Sequence, residues 1–331
     1  MGNIVKPFKQ QQPFAYQPLT VPLISVEAQN EDLRVFRFTD LKKATKNFRQ
    51  DRVETCEDGS VRKYYRGYVH KTTFAPSRNG KGIAVSVMEC DSVCPLQDWM
   101  ARARSLQHIS HPNLVKLLGY CCEDNKTLFL VFEYSHKGSL DSHIFGKEDA
   151  LPWVIRVKIA IGIAQGVAFL HSINKFPLNQ ELQKHNIMLE EVHYNAKLFY
   201  LESIKPSLMT VGQVMVIPGY VSPECVMAAH MGMESDVYLF GLILLELLSG
   251  SNHRKLLIKI MQSSDVWNTS ILPDHYMIEE IIDPRLGTDY PANAAIQMGT
   301  LIQRCTKRDK KKRPLMQQVL DVLDYISEIE D

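Results

Sequence analysis

The sequence predicts an α+β protein with two lobes, a small sheet-rich lobe followed by a larger helical one. Three short runs rich in β-branched and aromatic residues, at 64–69, 82–88 and 128–132, have the composition of strands. A helical stretch at 96–109 separates the last two of these runs. After Gly138 the apolar residues recur at helical spacing instead. With 331 residues, the chain is long enough to give both lobes a hydrophobic core.

The first part of the chain predicts an extended arm and then a short helix. Residues 1–34 are rich in Gln and Pro, so we expect a flexible N-terminal arm. Thr39 is a candidate N-cap for a helix over 40–48. Leu41, Ala44 and Phe48 would lie on the buried face of that helix.

The second half predicts three longer helices, over 153–171, 235–248 and 314–329. In the first of them Ile159 and Ile163 are spaced by four residues, which is typical of a buried helical face. The domain boundaries follow from this pattern. We predict an N-terminal arm at 1–34, the sheet-rich lobe at 35–133, the helical lobe at 134–328 and a tail at 329–331.

Composition excludes several classes of protein. The net charge of +1 gives no general attraction to nucleic acid, and the seven scattered cysteines form no CxxC pair, which favours a reducing cytosol. The basic run at 307–313 resembles a nuclear or nucleic-acid patch, but we interpret it as a solvated loop before the last helix. Gly2 raises the question of myristoylation, although Lys6 stands where that motif requires Ser or Thr. We therefore expect a cytoplasmic protein, with plasma-membrane association only through weak acylation at Gly2.

Six sequence motifs carry a family resemblance. They are F-T-D-L-K-K-A-T-K-N-F at 38–48, H-P-N-L-V-K-L-L-G-Y-C at 111–121, F-E-Y at 132–134 with K-G-S-L at 137–140, G-Y-V-S-P-E at 219–224, S-D-V-Y-L-F-G at 235–241 and K-R-P at 312–314. In this order they resemble the protein kinases, and within them the plant receptor-like cytoplasmic kinases related to the Pelle and IRAK group. The resemblance covers residues 36–328. It implies a bilobal protein-kinase fold, with the αC helix at 96–109 in the N-lobe.

Nucleotide-binding positions of that family are altered here. The glycine-rich loop that covers the phosphates should read G-x-G-x-x-G, and Glu57, Gly59 and Arg62 stand at its three glycines. Only Gly59 survives, as a remnant. Ser86 replaces the lysine of V-A-I-K, and Arg102 replaces the αC glutamate that pairs with it. Both partners of one ion pair are therefore gone, which avoids stranding a single buried charge.

The positions that handle the proton and the metal are altered as well. In the catalytic loop Glu181 replaces the aspartate and Gln183 replaces the lysine that steadies the phosphoryl group; Lys184 is next to it but out of register. Tyr200 stands at the first position of D-F-G and cannot chelate magnesium as a carboxylate does. Asn186 remains as a single neutral metal ligand. We therefore expect neither ATP nor magnesium to bind.

Structural positions of the family survive. Glu224 and Arg313 form the pair that ties the activation segment to the late helices in relatives, and Asp236 braces the catalytic loop. Trp153 and Arg156 keep the L-x-W-x-x-R pattern. Retention of the fold with loss of the charged machinery is typical of a protein kept for its shape.

The resemblance therefore implies a pseudokinase rather than an enzyme. We expect an adaptor, decoy or allosteric partner in plant receptor-proximal or immune signalling, bound to active kinases or receptor complexes. Two alternatives stay open: a weakly active serine/threonine kinase with a rearranged site, and a nucleotide-binding switch without catalysis. We also expect Arg102 to meet Glu181 or Glu202, and the activation segment at 200–224 to hold one packed conformation.

Overall fold

The computed structural model has a compact unit that begins at Leu33. It describes residues 33–55, 61–77, 82–90, 106, 109–122, 128–134, 137–145, 150–173, 178, 182–190, 192–200, 222–228, 232–252, 271–272 and 277–330. Several sequence predictions therefore lie outside the described residues. These are the arm at 1–32, the helix at 96–109 apart from buried Leu106 and the loop residue Ile109, and the activation segment between 201 and 221.

The N-lobe is a six-stranded sheet, of which the sequence indicated three strands. The strands are β1 Arg34–Val35, β2 Gln50–Thr55, β3 Val61–Val69, β4 Ile83–Cys90, β5 Leu117–Cys122 and β6 Leu128–Glu133. Their order in the sheet is β1-β5-β6-β4-β3-β2, with β1 parallel to β5 and all other neighbours antiparallel. Between β1 and β2 lies the helix α1, Phe38–Ala44.

The two faces of this sheet have different partners because side chains alternate along each strand. Val85, Val87 and Val131 point to one face and pack with Leu41 and Ala44 of α1. The opposite face carries the alternate residues, such as Tyr64, Met88 and Phe132. It packs with Phe199 and Tyr200 of the C-lobe. The site lies on this second face.

Helix α1 differs from its prediction at both ends. The predicted cap Thr39 is wrong, since the helix begins at Phe38 with Arg37 at the N-cap. It ends at Ala44 rather than at Phe48, because residues 46–48 have φ between 52° and 65°, which a right-handed helix cannot contain. Phe48 still reaches the predicted core, where its ring stacks on Phe129 at 5.0 Å.

The short strand β1 needs a glycine beside it. Arg34, which we had placed in the N-terminal arm, pairs with Gly119 of β5. A Cβ atom at Gly119 would lie 2.1 Å from the Arg34 carbonyl oxygen and 2.7 Å from the ring of Phe36. Arg34 is also held by a hydrogen bond to the carbonyl of Thr73 at 2.5 Å and lies over the ring of Phe74.

We predict that Gly119→Ala lowers the free energy of unfolding by about 1–3 kcal/mol, because the methyl group cannot fit against a backbone carbonyl. Chemical denaturation of the variant and the wild-type chain measures the difference. The matched control is the same substitution in a chain that starts at Arg37, which lacks both the Arg34 carbonyl and the Phe36 ring. An equal cost in both backgrounds would contradict this explanation.

The C-lobe is helical around one core. Its helices are α2 Leu140–Ile144, α3 Trp153–Ile173, α4 Pro223–Ala228, α5 Met233–Ser249, α6 Ile278–Ile281, α7 Ala292–Cys305 and α8 Met316–Ser327. The three long helices predicted from the sequence correspond to α3, α5 and α8. Helix α3 is long and apolar enough to cross a membrane, but 61% of its most apolar window is buried in the protein, as in a core helix.

A two-stranded sheet connects the lobes at the site. Strands β7 Ile187–Leu189 and β8 Ala196–Leu198 are antiparallel. Leu198 accepts a hydrogen bond from the Val115 amide at 2.9 Å and donates to the Asn113 carbonyl at 2.8 Å. The observed architecture is the predicted one, a sheet-rich N-lobe followed by a larger helical C-lobe.

Candidate functional site

Ser86 lies in the middle of the N-lobe sheet, on the face that looks toward β8. It is directly opposite Arg66 of β3 and Phe132 of β6. Directly opposed residues in antiparallel strands point to the same side, so these three side chains are neighbours. The hydroxyl at position 86 therefore lies between a guanidinium and an aromatic ring.

Three aromatic rings pack together on this face of the sheet, starting from Phe132 opposite Ser86, and we call Tyr64, Phe132 and Phe199 the aromatic plug. The ring of Phe199 lies 4.5 Å from that of Phe132 and 6.1 Å from that of Tyr64, measured between centroids. Tyr64 and Phe132 are each 1% exposed and Phe199 is 5% exposed. The plug therefore includes Phe132, the neighbour of Ser86 across the sheet, and Phe199, the residue just before Tyr200.

Tyr200, at the position of the metal-binding aspartate, packs against the cores of both lobes. A phenol at this place contributes apolar contact and no carboxylate. The Phe199 amide just before it donates to the Asn186 carbonyl at 2.7 Å, and this bond fixes the plug to the end of the catalytic loop.

Three polar residues of the catalytic loop, Gln183, Lys184 and Asn186, are buried. Asn186 is 3% exposed and Gln183 is 7% exposed, and the Asn186 amide donates to the Gln183 carbonyl at 2.9 Å. Glu181, Arg102, Glu202 and Gly59 lie outside the described residues, so the predicted partner of Arg102 stays a prediction. Among the residues that the structure describes, no three His, Cys, Asp or Glu side chains come together as a metal site.

Lys184 forms a buried ion pair that the sequence reading missed. Its Nζ lies 2.7 Å from a carboxylate oxygen of Glu246 on α5, and the Glu246 side chain is fully buried. Lys184 also lies over the ring of Phe145, 4.4 Å from its centroid. The sequence does contain a sign of this pair. Glu246 is the one charged residue in the apolar run 239–248, and a buried charge requires a partner. This lysine is used to dock the catalytic loop on α5.

The hinge between the lobes is held by polar contacts on both sides. Lys197 of β8 contacts Glu133 at 2.8 Å, and the same Glu133 carboxylate accepts from the Lys116 amide at 3.0 Å. The Tyr134 hydroxyl donates to Asp51 of β2 at 3.1 Å, and the guanidinium of Arg66 lies 4.6 Å from the Tyr134 ring. The cation opposite Ser86 is therefore stacked on the hinge tyrosine.

The pair expected to tie the activation segment to the late helices is present. Arg313 donates from its two terminal nitrogens to the two oxygens of Glu224, at 2.7 and 2.8 Å. Ser235 donates to the same carboxylate at 2.8 Å. Burial acts to raise the pKa of Glu224, but the bonds from Arg313, from the backbone and from Ser235 outweigh it and lower the pKa to about 2.

Asp236 contacts the start of the catalytic loop. Its carboxylate accepts from the Leu178 amide at 2.7 Å and lies 2.8 Å from Nε2 of His171 on α3. The side chain is fully buried. Asp236 therefore links α5, α3 and the loop that in relatives carries the catalytic aspartate.

A second buried ion pair lies deeper in the C-lobe. Arg156 of α3 lies 2.5 Å from Asp283, and it also donates to the carbonyls of Leu151 and Leu247, each at 2.7 Å. Burial alone would raise the pKa of Asp283, but hydrogen bonds from Arg285 and Arg156 hold it below its ordinary value. The sequence pattern had indicated Arg156, whereas nothing marked Asp283 as its partner.

Comparison with known proteins gives the same picture as this geometry. Residues 53–323 match the family model of protein tyrosine and serine/threonine kinases. The Arabidopsis thaliana proteins named inactive serine/threonine-protein kinase BKN1 and BKN2 are 64% and 55% identical, each over the whole length of both chains. A probable serine/threonine-protein kinase, CST, also of Arabidopsis thaliana, is 38% identical over 90% of this chain and 72% of its own.

Two solved pseudokinase structures share the fold. An apo pseudokinase superposes with a TM-score of 0.66 at 22% identity, over 91% of this chain and 96% of that one. DRIK1, drought responsive inactive kinase 1, solved in complex with ENMD-2076, has a TM-score of 0.64 at 22% identity, over 91% and 99% of the two chains. Because these identities are low, the two structures support the fold alone.

Proposed function

The chain belongs to the protein tyrosine and serine/threonine kinase family as an inactive member, and from this premise we propose that it acts as a non-catalytic protein partner in signalling. The partners are active kinases or receptor complexes, and the setting is plant receptor-proximal or immune signalling in the cytoplasm. Its role is that of an adaptor, a decoy or an allosteric partner. No bound nucleotide or metal is needed for it.

The observation that carries this proposal is the aromatic plug. A nucleotide in a kinase cleft needs a cation on the phosphates and a carboxylate on the metal. Here Ser86 and Tyr200 occupy those places, and Phe199 packs on Phe132 and Tyr64 beside them. The rings beside them contribute burial and no ligand, so a polyphosphate there would gain no compensation for lost water.

The contacts of the described residues argue against the two alternative functions. A weakly active kinase needs a cation in the place of the missing lysine, but Arg66, the cation opposite Ser86, is stacked on Tyr134. Lys184, the other nearby candidate, is paired with Glu246. A nucleotide switch without catalysis still needs ligands for the phosphates, and neither Ser86 nor Tyr200 supplies a charge for them.

We predict that ATP does not stabilise the protein, with or without magnesium or manganese. A ligand present at a hundred times its dissociation constant adds about 2.7 kcal/mol of stability, which thermal denaturation detects easily. The variant Ser86→Lys is expected to behave like the wild-type chain, since the new cation would lie beside Arg66 and the plug would remain. A catalytically active protein kinase serves as the positive control for both measurements.

The same samples separate the alternatives. Stabilisation by ATP alone would favour the nucleotide switch, and phosphate transfer to a generic substrate would favour the weak kinase. Recovery of turnover by Ser86→Lys would also contradict the proposal. For the adaptor role, we expect the protein to bind an active receptor-like cytoplasmic kinase. The dissociation constant of this complex should not change when an ATP analogue occupies the cleft of the partner kinase.

A further inference from the structure

A strongly basic loop joins α7 to α8 on the C-lobe. Residues 307–312 hold five cationic side chains and one carboxylate, a net charge of +4. Since the whole chain has a net charge of +1, the remainder carries −3. The loop is therefore a local cluster of positive charge on a chain that is otherwise slightly acidic.

The loop is held from inside, with Arg308, Lys311 and Lys312 exposed and Lys307 and Lys310 half-buried. The buried Arg313 donates from Nε to the Lys307 carbonyl at 2.7 Å and from a terminal nitrogen to the Arg308 carbonyl at 3.4 Å. Residues 310–312 form a 3₁₀ turn whose first amides are capped by Asp309, with the Lys311 amide at 3.1 Å from its carboxylate. The Lys312 side chain is 72% exposed and lies 3.9 Å from Asp309, a weak contact.

An exposed leucine lies beside this cationic turn. Leu315, at the N-cap of α8, is 69% exposed, although the next residue, Met316, is 2% exposed and belongs to the core. The Leu315 amide is held by the Gln318 side chain at 2.9 Å, so the position is ordered. Leu315 therefore adds one ordered, exposed apolar side chain beside the exposed lysines.

We propose that residues 307–312 together with Leu315, which we call the basic patch, dock the C-lobe on an anionic phospholipid bilayer. Lysines near such a surface each contribute about 1 kcal/mol, and five cations are within the range of known polybasic lipid-binding clusters. The aliphatic side chain of Leu315 inserts among the headgroups while the lysines contact lipid phosphates and carboxylates. The proposal is independent of the non-catalytic role argued above.

The chemistry favours a lipid surface over nucleic acid. The segment 307–315 contains no aromatic side chain on which a base could stack, and a protruding leucine has no counterpart in a phosphate backbone. A bilayer matches both features, since it is a continuous anionic plane with an apolar interior.

The test is co-sedimentation of the unacylated full chain with vesicles. The protein should bind vesicles of phosphatidylcholine containing phosphatidylserine at low salt, and should bind neither pure phosphatidylcholine nor the mixed vesicles at high salt. The triple variant K310Q/K311Q/K312Q is expected to weaken binding on the order of a hundredfold. Leu315→Ser is expected to weaken it about threefold to tenfold, and serine at an N-cap preserves α8.

The matched control is K42Q/K43Q/K71Q, which removes the same charge from exposed lysines of the N-lobe. Its binding should stay close to that of the wild-type chain. Equal losses in the two triple variants would overturn the proposal, because net charge rather than the patch would then govern binding. Binding to pure phosphatidylcholine, or displacement from mixed vesicles by RNA at equal phosphate concentration, would overturn it as well.

Discussion

Replacing Arg156 with alanine is expected to lower the free energy of unfolding by about 3–5 kcal/mol, the usual cost of removing one partner of a buried pair. The substitution leaves the Asp283 carboxylate, which is 2% exposed, without its buried cation. It also removes the donors of the Leu151 and Leu247 carbonyls. Chemical denaturation at neutral pH measures the loss.

Arg285 provides a matched control on the same carboxylate. It contacts Asp283 at 2.8 Å but is 36% exposed, so water replaces much of what Arg285→Ala removes. We expect this variant to lose about 1 kcal/mol or less. Similar losses for the two variants would show that burial does not set the strength of the Asp283 contacts, contrary to our explanation.

The pair of Glu224 and Arg313 should make stability depend on acid pH. The folded-state pKa of Glu224 is about 2, below its ordinary value of 4.5. The stabilisation is therefore complete above about pH 4.5 and is lost as the pH falls toward 2. Arg313→Ala should cost about 3–5 kcal/mol at neutral pH, since it leaves Glu224 without its cation.

Glu224→Gln isolates the titration. The difference in stability between the wild-type chain and this variant should shrink as the pH falls from 4.5, because the protonated glutamate resembles glutamine. Glu279→Gln, at an exposed position of α6, is the control and should show little pH-dependent difference. A wild-type advantage over Glu224→Gln that stays constant down to pH 2 would contradict the assignment.

The fold was predictable because several kinds of pattern agreed. Helical spacing marked α3, α5 and α8, and six motifs in order named the family. The ends of α1 were not predictable from composition, since the left-handed run at 46–48 depends on packing Phe48 against Phe129. Strand β1 was missed because two residues carry no periodicity, and its partner Gly119 reveals a close approach only in three dimensions.

The sequence indicates which charged residues of the site are missing, but not which side chains pack beside those positions. Alignment to the family motifs locates Ser86 and Tyr200, which lack the required charge. What fills their place depends on strand register and long-range packing, and Phe199 gave no local signal that it packs on Phe132 and Tyr64. The assignment of Lys184 to Glu246 likewise joins positions 62 residues apart.

The dependence of the N-lobe on β8 has a consequence for synthesis on the ribosome. Lys197, which contacts Glu133 at the hinge, lies 64 residues further along the chain. At about 5–20 residues per second, translation needs about 3–13 s to cover that distance. During this time the rings of Tyr64 and Phe132 have no Phe199 to pack against, so an aromatic face of the nascent N-lobe stays uncovered. Phe199 and Tyr200 are thus the last residues of this N-lobe core to be translated.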